Sequence, residues 1–121
     1  MSEKSSIKAL IIDDSKQARK LLRLMLIELA NDFQVIGEAE DAEKGLRLIK
    51  NEHPDVAFLD IEMPGKSGIQ LAEQISQLQL KTKIVFTTAY NEYAIKAFRL
   101  SAVDYLLKPI QENQLIEATE K

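Results

Sequence analysis

The sequence contains no cysteine, so a disulfide scaffold, a thiolate metal site and a cysteine nucleophile are all excluded. It also lacks an excess of basic charge. The formal net charge is -3, which argues against a broad basic face laid along a phosphate backbone. No apolar run approaches the length of a membrane span. The opening residues Met1, Ser2, Glu3, Lys4, Ser5 and Ser6 have no apolar centre of the kind a signal peptide needs, so 1–6 reads as a polar tail and the expected location is the cytoplasm. The single histidine, His53, stands beside Pro54 with no ligand-type neighbour in sequence and reads as structural. Internal repeats, linkers and low-complexity tracts are absent as well.

What remains is 121 residues, enough for one core and not for two. Short apolar runs alternate with longer segments of helical period. Residues 8–12 (KALII) form a β-branched run that stops at Asp13 and Asp14, which predicts a buried strand. Ser15 can cap the helix that follows, with Ala18, Leu21, Leu22, Met25 and Leu29 at core-facing spacing. Strands are predicted over 33–37, 56–59, 83–87 and 105–107. Helices are predicted over 42–51, with Leu46 and Ile49 inward, around Ile69 to Ile75 after a turn bracketed by Gly65 and Gly68, over 93–100, and from Gln111 onward. Five strand–helix units in strict alternation, with near-continuous Ile, Val, Leu and Phe in the strands, predict an α/β fold with a parallel sheet covered on both faces. The whole of 1–121 reads as one domain. Its last helix is short, which predicts that the natural chain continues past Lys121.

In such a sheet, ligands bind outside the carboxyl ends of the strands. Those ends carry Asp13 and Asp14, then Asp60, then Thr87 and Thr88, then Lys108. A lone aspartate after a strand is commonly a helix cap or turn former. Three carboxylates, hydroxyls and an ammonium converging on one edge are harder to assign to capping. Carboxylates this close stay ionised only beside a cation. Oxygen donors without His or Cys select Mg²⁺ or Mn²⁺ over zinc. One carboxylate could then attack phosphorus and form an acyl phosphate, with Thr88 and Lys108 neutralising the other phosphoryl oxygens.

Competing motifs fail on spacing. Gly65-Lys66-Ser67 resembles the end of a P-loop, but Asp60 occupies the place of the required first glycine. Asp13 and Asp14 would repel a flavin phosphate seated after the first strand. A phosphatase with an aspartate nucleophile would carry a D-x-D pattern there, where this sequence has adjacent aspartates. A small Mg²⁺-dependent phosphatase stays open as the rival from another class. It predicts turnover of a generic aryl phosphate.

Four blocks in order, Ile11-Ile12-Asp13-Asp14, Phe58-Leu59-Asp60-Ile61-Glu62-Met63-Pro64-Gly65, Thr87-Thr88-Ala89 and Tyr105-Leu106-Leu107-Lys108-Pro109, resemble the signature of response-regulator receiver domains of bacterial two-component systems. The resemblance runs from Lys8 to the end of the chain. It implies a flavodoxin-like (βα)5 architecture with strand order 2-1-3-4-5. It implies that Asp60 is the phosphoacceptor and that Asp13, Asp14, Asp60 and the backbone carbonyl of Glu62 hold Mg²⁺. Thr88 and Lys108 would contact the phosphoryl group, with a cis bond before Pro109. The same resemblance implies a switch. Thr88 moves toward the phosphoryl group, Tyr105 turns inward, and the face built by the 93–100 helix, the fifth strand and the last helix repacks. On this reading the chain is not an enzyme, since the acceptor is consumed.

A narrower resemblance lies in Thr88-Ala89-Tyr90-Asn91-Glu92-Tyr93-Ala94-Ile95-Lys96-Ala97-Phe98 and in Ala102-Val103-Asp104-Tyr105, continuing through Ile110. These stretches are similar to receivers joined to a LytTR-type DNA-binding domain. The expected partners are then a sensor histidine kinase, DNA through a domain beyond 121, and a second copy across the switch face, where Lys96, Arg99 and Asp104 offer charges. A stand-alone receiver signalling by protein contact is the alternative, and no membrane partner is expected. Glu62 lies two residues after Asp60 and Tyr90 two after Thr88, so both could flank the path of an attacking water, and Tyr90 either prolongs the phosphorylated state or merely packs on the surface. Lys16, Arg19, Lys20 and Arg23 give the first helix a basic face that is either solvated or a kinase contact, and Leu24 and Ile27 broaden its apolar stripe and either mark a contact surface or lie partly buried.

Overall fold

In the computed structural model, the described residues are 7–29, 32–89 and 104–119. The elements run β1 (Ile7–Ile12), α1 (Lys16–Leu29), β2 (Phe33–Ala39), α2 (Ala42–Glu52), β3 (Val56–Asp60), α3 (Gly68–Gln77), β4 (Lys83–Thr88), β5 (Asp104–Leu107) and α4 (Glu112–Thr119). The helix predicted over 93–100 lies outside the described residues, as do Tyr90, Lys96 and Arg99. Every strand pairing is parallel and the order is β2-β1-β3-β4-β5, as the resemblance implied.

Side chains alternate across each strand, and two cores result. Leu10, Ile12, Ala57, Leu59, Ile84 and Phe86 pack with Ile49, Leu71 and Ile75 of α2 and α3. Their sequence neighbours Ala9, Ile11, Phe58, Val85 and Leu106 pack with Leu22, Leu26, Leu115 and Ala118 of α1 and α4. Both residue sets are buried, so the strands are apolar at successive positions, as a sheet covered on both faces requires. Phe58 is 1% exposed and Phe86 is fully buried, each contributing about 2–3 kcal/mol of apolar burial.

The helix ends follow from local chemistry. Ser15 Oγ accepts from the Ala18 N–H at 3.1 Å, the predicted cap. Asp41 caps α2 through the Lys44 N–H, and Ser67 with Gln70 forms a capping box at the start of α3. His53 ends α2 in the left-handed region, its N–H donating to the Ile49 carbonyl. One expectation on α1 needs correction. Leu21 is 56% exposed, while Leu26 is fully buried. Leu22 and Leu26 sit four residues apart and define the inward stripe, so Leu21, about 100° round from Leu22, faces outward. Leu24 and Ile27 are exposed too, which leaves the contact-surface alternative and removes the buried one.

Candidate functional site

The order β2-β1-β3-β4-β5 sets the ends of β1, β3 and β4 side by side. Asp13 and Asp14 follow β1 directly, Asp60 ends β3, Thr87 and Thr88 end β4, and Lys108 follows β5. Asp60 lies level with Thr87 in the ladder, and Thr88 lies level with Leu107. All six strand-end residues predicted from the sequence therefore share one edge.

One carboxylate oxygen from each of Asp13, Asp14 and Asp60 falls within 4.8 Å of the other two. Asp13 and Asp60 are 5% and 4% exposed, and Asp14 is open to solvent. Lys108 Nζ donates to Asp13 Oδ2 at 2.8 Å and stands 3.5 Å from Asp60 Oδ1. Asp13 Oδ1 accepts from the Ser15 N–H at 2.9 Å. Burial first, and then the charge of Asp13, push the Asp60 carboxyl up to about 7, against the pull of Lys108 and of the Glu62 backbone N–H that donates to it. At Lys108 burial favours the neutral amine, yet the hydrogen bond to Asp13 and the charges of Asp60 and Asp13 together raise it above the ordinary lysine value. Three carboxylates thus face one ammonium. The donor set has oxygen only, and a divalent cation there would offset the burial and the repulsion that together hold Asp60 up. The residues fit Mg²⁺ or Mn²⁺.

The surrounding residues fall as follows. Glu62 is exposed, with its backbone N–H turned to Asp60. Thr88 is fully buried, and its carbonyl accepts the Lys108 N–H at 2.7 Å. The Lys108–Pro109 bond is cis. Tyr105 is partly buried against the α2/α3-side core, level with Phe86. Thr87 and Lys108 line a cleft of about 100 Å³ with Asp13, Leu21, Met25 and Pro109. Gly68 packs so tightly behind Asp60 that a Cβ there would stand 2.2 Å from the Asp60 carbonyl oxygen.

The basic face predicted on α1 loses a member. Arg19 turns inward, its side chain 15% exposed. Its Nε donates to Glu38 Oε1 at 3.1 Å and its Nη1 to the Asp13 carbonyl at 2.7 Å. Arg23 donates to Glu38 Oε2 at 2.7 Å from a more exposed position. Burial pushes the Glu38 carboxyl up, but the hydrogen bonds from Arg23 and Arg19 outweigh it and hold the group below the ordinary carboxylate value. The sequence pattern does not show this arrangement, because Glu38 falls just past the strand predicted over 33–37. In the structure β2 runs on to Ala39, and the partly buried Glu38 carboxylate takes its cations from α1.

Comparison with known proteins agrees with this geometry. The profile described as "Response regulator receiver domain" matches residues 9–120. The transcriptional regulatory protein BtsR of Escherichia coli is 46% identical over 109 residues, covering 90% of this chain and 45% of that protein. The sensory transduction protein LytT of Bacillus cereus is 36% identical over 115 residues, covering 95% of this chain and 46% of that protein. The chain thus spans about half the length of these relatives. Among solved structures, the response regulatory domain of protein mrkE from Klebsiella pneumoniae superimposes with a TM-score of 0.85 at 35% identity, covering 93% of this chain and 92% of that one. These relatives are regulators, in line with the expectation that the chain is not an enzyme. From Ala9 onward, the chain belongs to the response regulator receiver domain family, the receiver part of a two-component system.

Proposed function

We propose that the chain accepts a phosphoryl group on Asp60 from a sensor histidine kinase, with Mg²⁺ held by Asp13, Asp14, Asp60 and the Glu62 backbone carbonyl. The observation that carries this reading is the approach of three carboxylates within 4.8 Å of one another, with the Lys108 ammonium against two of them. An Asp60 oxygen forms the new O–P bond while the P–N bond of the donor phosphohistidine breaks, and the departing imidazole nitrogen takes up a proton. Bound Mg²⁺ supplies charge neutralisation at the phosphoryl oxygens. Lys108 and Thr88 contribute the remaining positive charge and hydrogen bonding. Thr88 and Tyr105, on adjacent strands, then serve as the switch that repacks the face around β5 and α4.

The output of the full protein is transcription, through a DNA-binding part outside these 121 residues. Two things support this. A relative at 46% identity is named a transcriptional regulatory protein, and the chain spans about half of such relatives. Dimerisation across the β5–α4 side and a cytoplasmic location complete the reading. Among the described residues no helix is long and apolar enough to cross a membrane.

Intact mass after incubation with acetyl phosphate and Mg²⁺ tests the site. A single phosphoryl adduct is expected on the wild type. It should be labile to hydroxylamine and lost both in Asp60→Asn and without the metal. Wild-type protein that gains no adduct and binds no Mg²⁺ would overturn the proposal.

A further inference from the structure

The three acids are not held equally. Asp13 is fixed through both carboxylate oxygens, by Lys108 and by the Ser15 N–H. Asp60 is level with Thr87 in the β3–β4 ladder, with its carboxylate against Lys108 and the Glu62 N–H. Asp14 is exposed, and among the described residues no hydrogen bond or ion pair holds its side chain. Its placement depends on the peptide that carries it.

That peptide is held from the far side. The peptide unit is planar, so fixing the Asp13 carbonyl oxygen also fixes the plane from which the Asp14 Cα departs. Arg19 Nη1 grips that oxygen at 2.7 Å, while Arg19 Nε is anchored on Glu38 at 3.1 Å. Glu38 is itself level with Ile11 in the β1–β2 ladder, and the Asp13 N–H donates to the next β2 carbonyl, Ala39, at 3.0 Å. The guanidinium therefore ties three things together: the first turn of α1, a sheet strand and the loop that carries the acidic pair. Its planar fork suits two acceptors at once, which an ammonium does not reproduce.

From this geometry we infer that Arg19 is a positioning residue for the Asp13–Asp14 pair, setting the affinity of the acidic cluster for a divalent cation without touching the cation. The inference rests on reading that cluster as a cation site. Arg23 provides the internal control, because it shares Glu38 with Arg19 but makes no bond to the Asp13 carbonyl.

The experiment titrates Mn²⁺ into metal-stripped protein and follows free Mn²⁺ by electron paramagnetic resonance. It compares the wild type with Arg19→Ala, Arg19→Lys and Arg23→Ala, and takes a urea unfolding curve for each. Arg19→Ala is expected to weaken Mn²⁺ binding about tenfold, the scale seen when a partner behind a metal ligand is removed. Arg19→Lys should recover part of that loss. Arg23→Ala should stay within about twofold of wild type, as its half-exposed ion pair is a weak one. A purely structural role would lower the urea midpoint in both alanine variants and leave both affinities alone. Unchanged affinity in folded Arg19→Ala, or an equal loss in Arg23→Ala, overturns the inference. Should Arg19→Ala not fold, equal affinities of Arg19→Lys and Arg23→Ala overturn it instead. Wild-type protein that binds no Mn²⁺ would bring down the cation reading itself and this inference with it. Indifference at Arg19 alone removes only the latter.

Discussion

The two edges of the sheet are built on opposite plans. At the carboxyl edge, Asp13, Asp14, Asp60 and Lys108 crowd together and the neighbouring cleft holds only about 100 Å³. At the amino edge lies the larger of these two hollows, about 620 Å³, walled largely by apolar residues such as Phe33, Val56, Phe58 and Leu80. There the polar groups are paired off locally. Thr82 Oγ1 donates to the Pro54 carbonyl at 2.8 Å, and the Asp55 carboxylate accepts the Lys8 N–H at 2.8 Å. Concavity alone does not choose between the ends, because a hollow of about 750 Å³ lined by Ile61, Glu62, Met63 and Pro64 follows Asp60 at the carboxyl edge. Crowded like charge favours the carboxyl edge, because a parallel fold has no structural need to bring three acids together.

If the edges divide the labour between chemistry and stability, substitutions at one should move both and at the other only stability. The largest effect is expected from Gly68→Ala. Its new Cβ would meet the Asp60 carbonyl oxygen at 2.2 Å and the Ile61 Cα at 2.9 Å, backbone atoms that cannot swing away. Destabilisation by about 2–3 kcal/mol is expected on urea unfolding, with a lower rate of adduct formation from acetyl phosphate. A Gly68→Ala variant of normal stability and normal rate would contradict the close packing behind Asp60.

Next comes a pH effect confined to the carboxyl edge. Asp60 is raised from 3.8 to about 7, chiefly by burial and then by Asp13. Through that window the folded state holds a proton that the unfolded state has released, so stability falls as pH rises. The contribution is fully present below the unfolded value and is lost as pH passes about 7. Metal-free protein should therefore melt lower at pH 7.5 than at pH 5.5 by this route, and Asp60→Asn should flatten the slope. Mg²⁺ should raise the melting temperature more at the higher pH. Equal slopes in wild type and Asp60→Asn would remove Asp60 as the cause.

The amino edge gives the smaller effects. Thr82→Val deletes the donor to a buried carbonyl and should lower stability by about 1 kcal/mol, while leaving adduct formation at the wild-type rate. His53→Gly relieves a non-glycine residue at φ 50° and should stabilise by about 0.5 kcal/mol. Its adduct formation should also match wild type. Any change in the phosphorylation rate of either variant would break the division between the edges.

The parts of the fold legible in the sequence are those with strong local patterning. The five strand runs and their abrupt polar ends, above all Ile12 before Asp13 and Leu59 before Asp60, locate the elements to within a few residues and the site edge with them. Strand order comes from the resemblance and not from periodicity, because nothing within a strand says which neighbour it will take. Errors arise where position on a helix has to be resolved to a single residue. Leu21 and Leu22 are identical in kind, and only the line from Leu22 to Leu26 decides which one is buried. The role of Arg19 is hidden for a related reason. A basic residue on an amphipathic helix is solvated by default, and its inward turn depends on Glu38 of a strand nineteen residues away. The steric demand at Gly68 is hidden as well, since it depends on how α3 seats behind Asp60 and not on any neighbour in sequence.

In the order β2-β1-β3-β4-β5, Asp60 stands on the middle strand, with two strands to either side. A middle strand is laced on both flanks and is the hardest to displace, while the margins β2 and β5 are each laced to one neighbour, β5 being the shorter at 4 residues against 7. The molecule thus has a stationary side and a yielding one. If a group is added at Asp60, as proposed above, it would press against an anvil, and displacement would be borne by the margin that has the fewest ties. On the proposed reading, the shorter margin, reached across β4 at β5, is the easier of the two ways out for a change at Asp60.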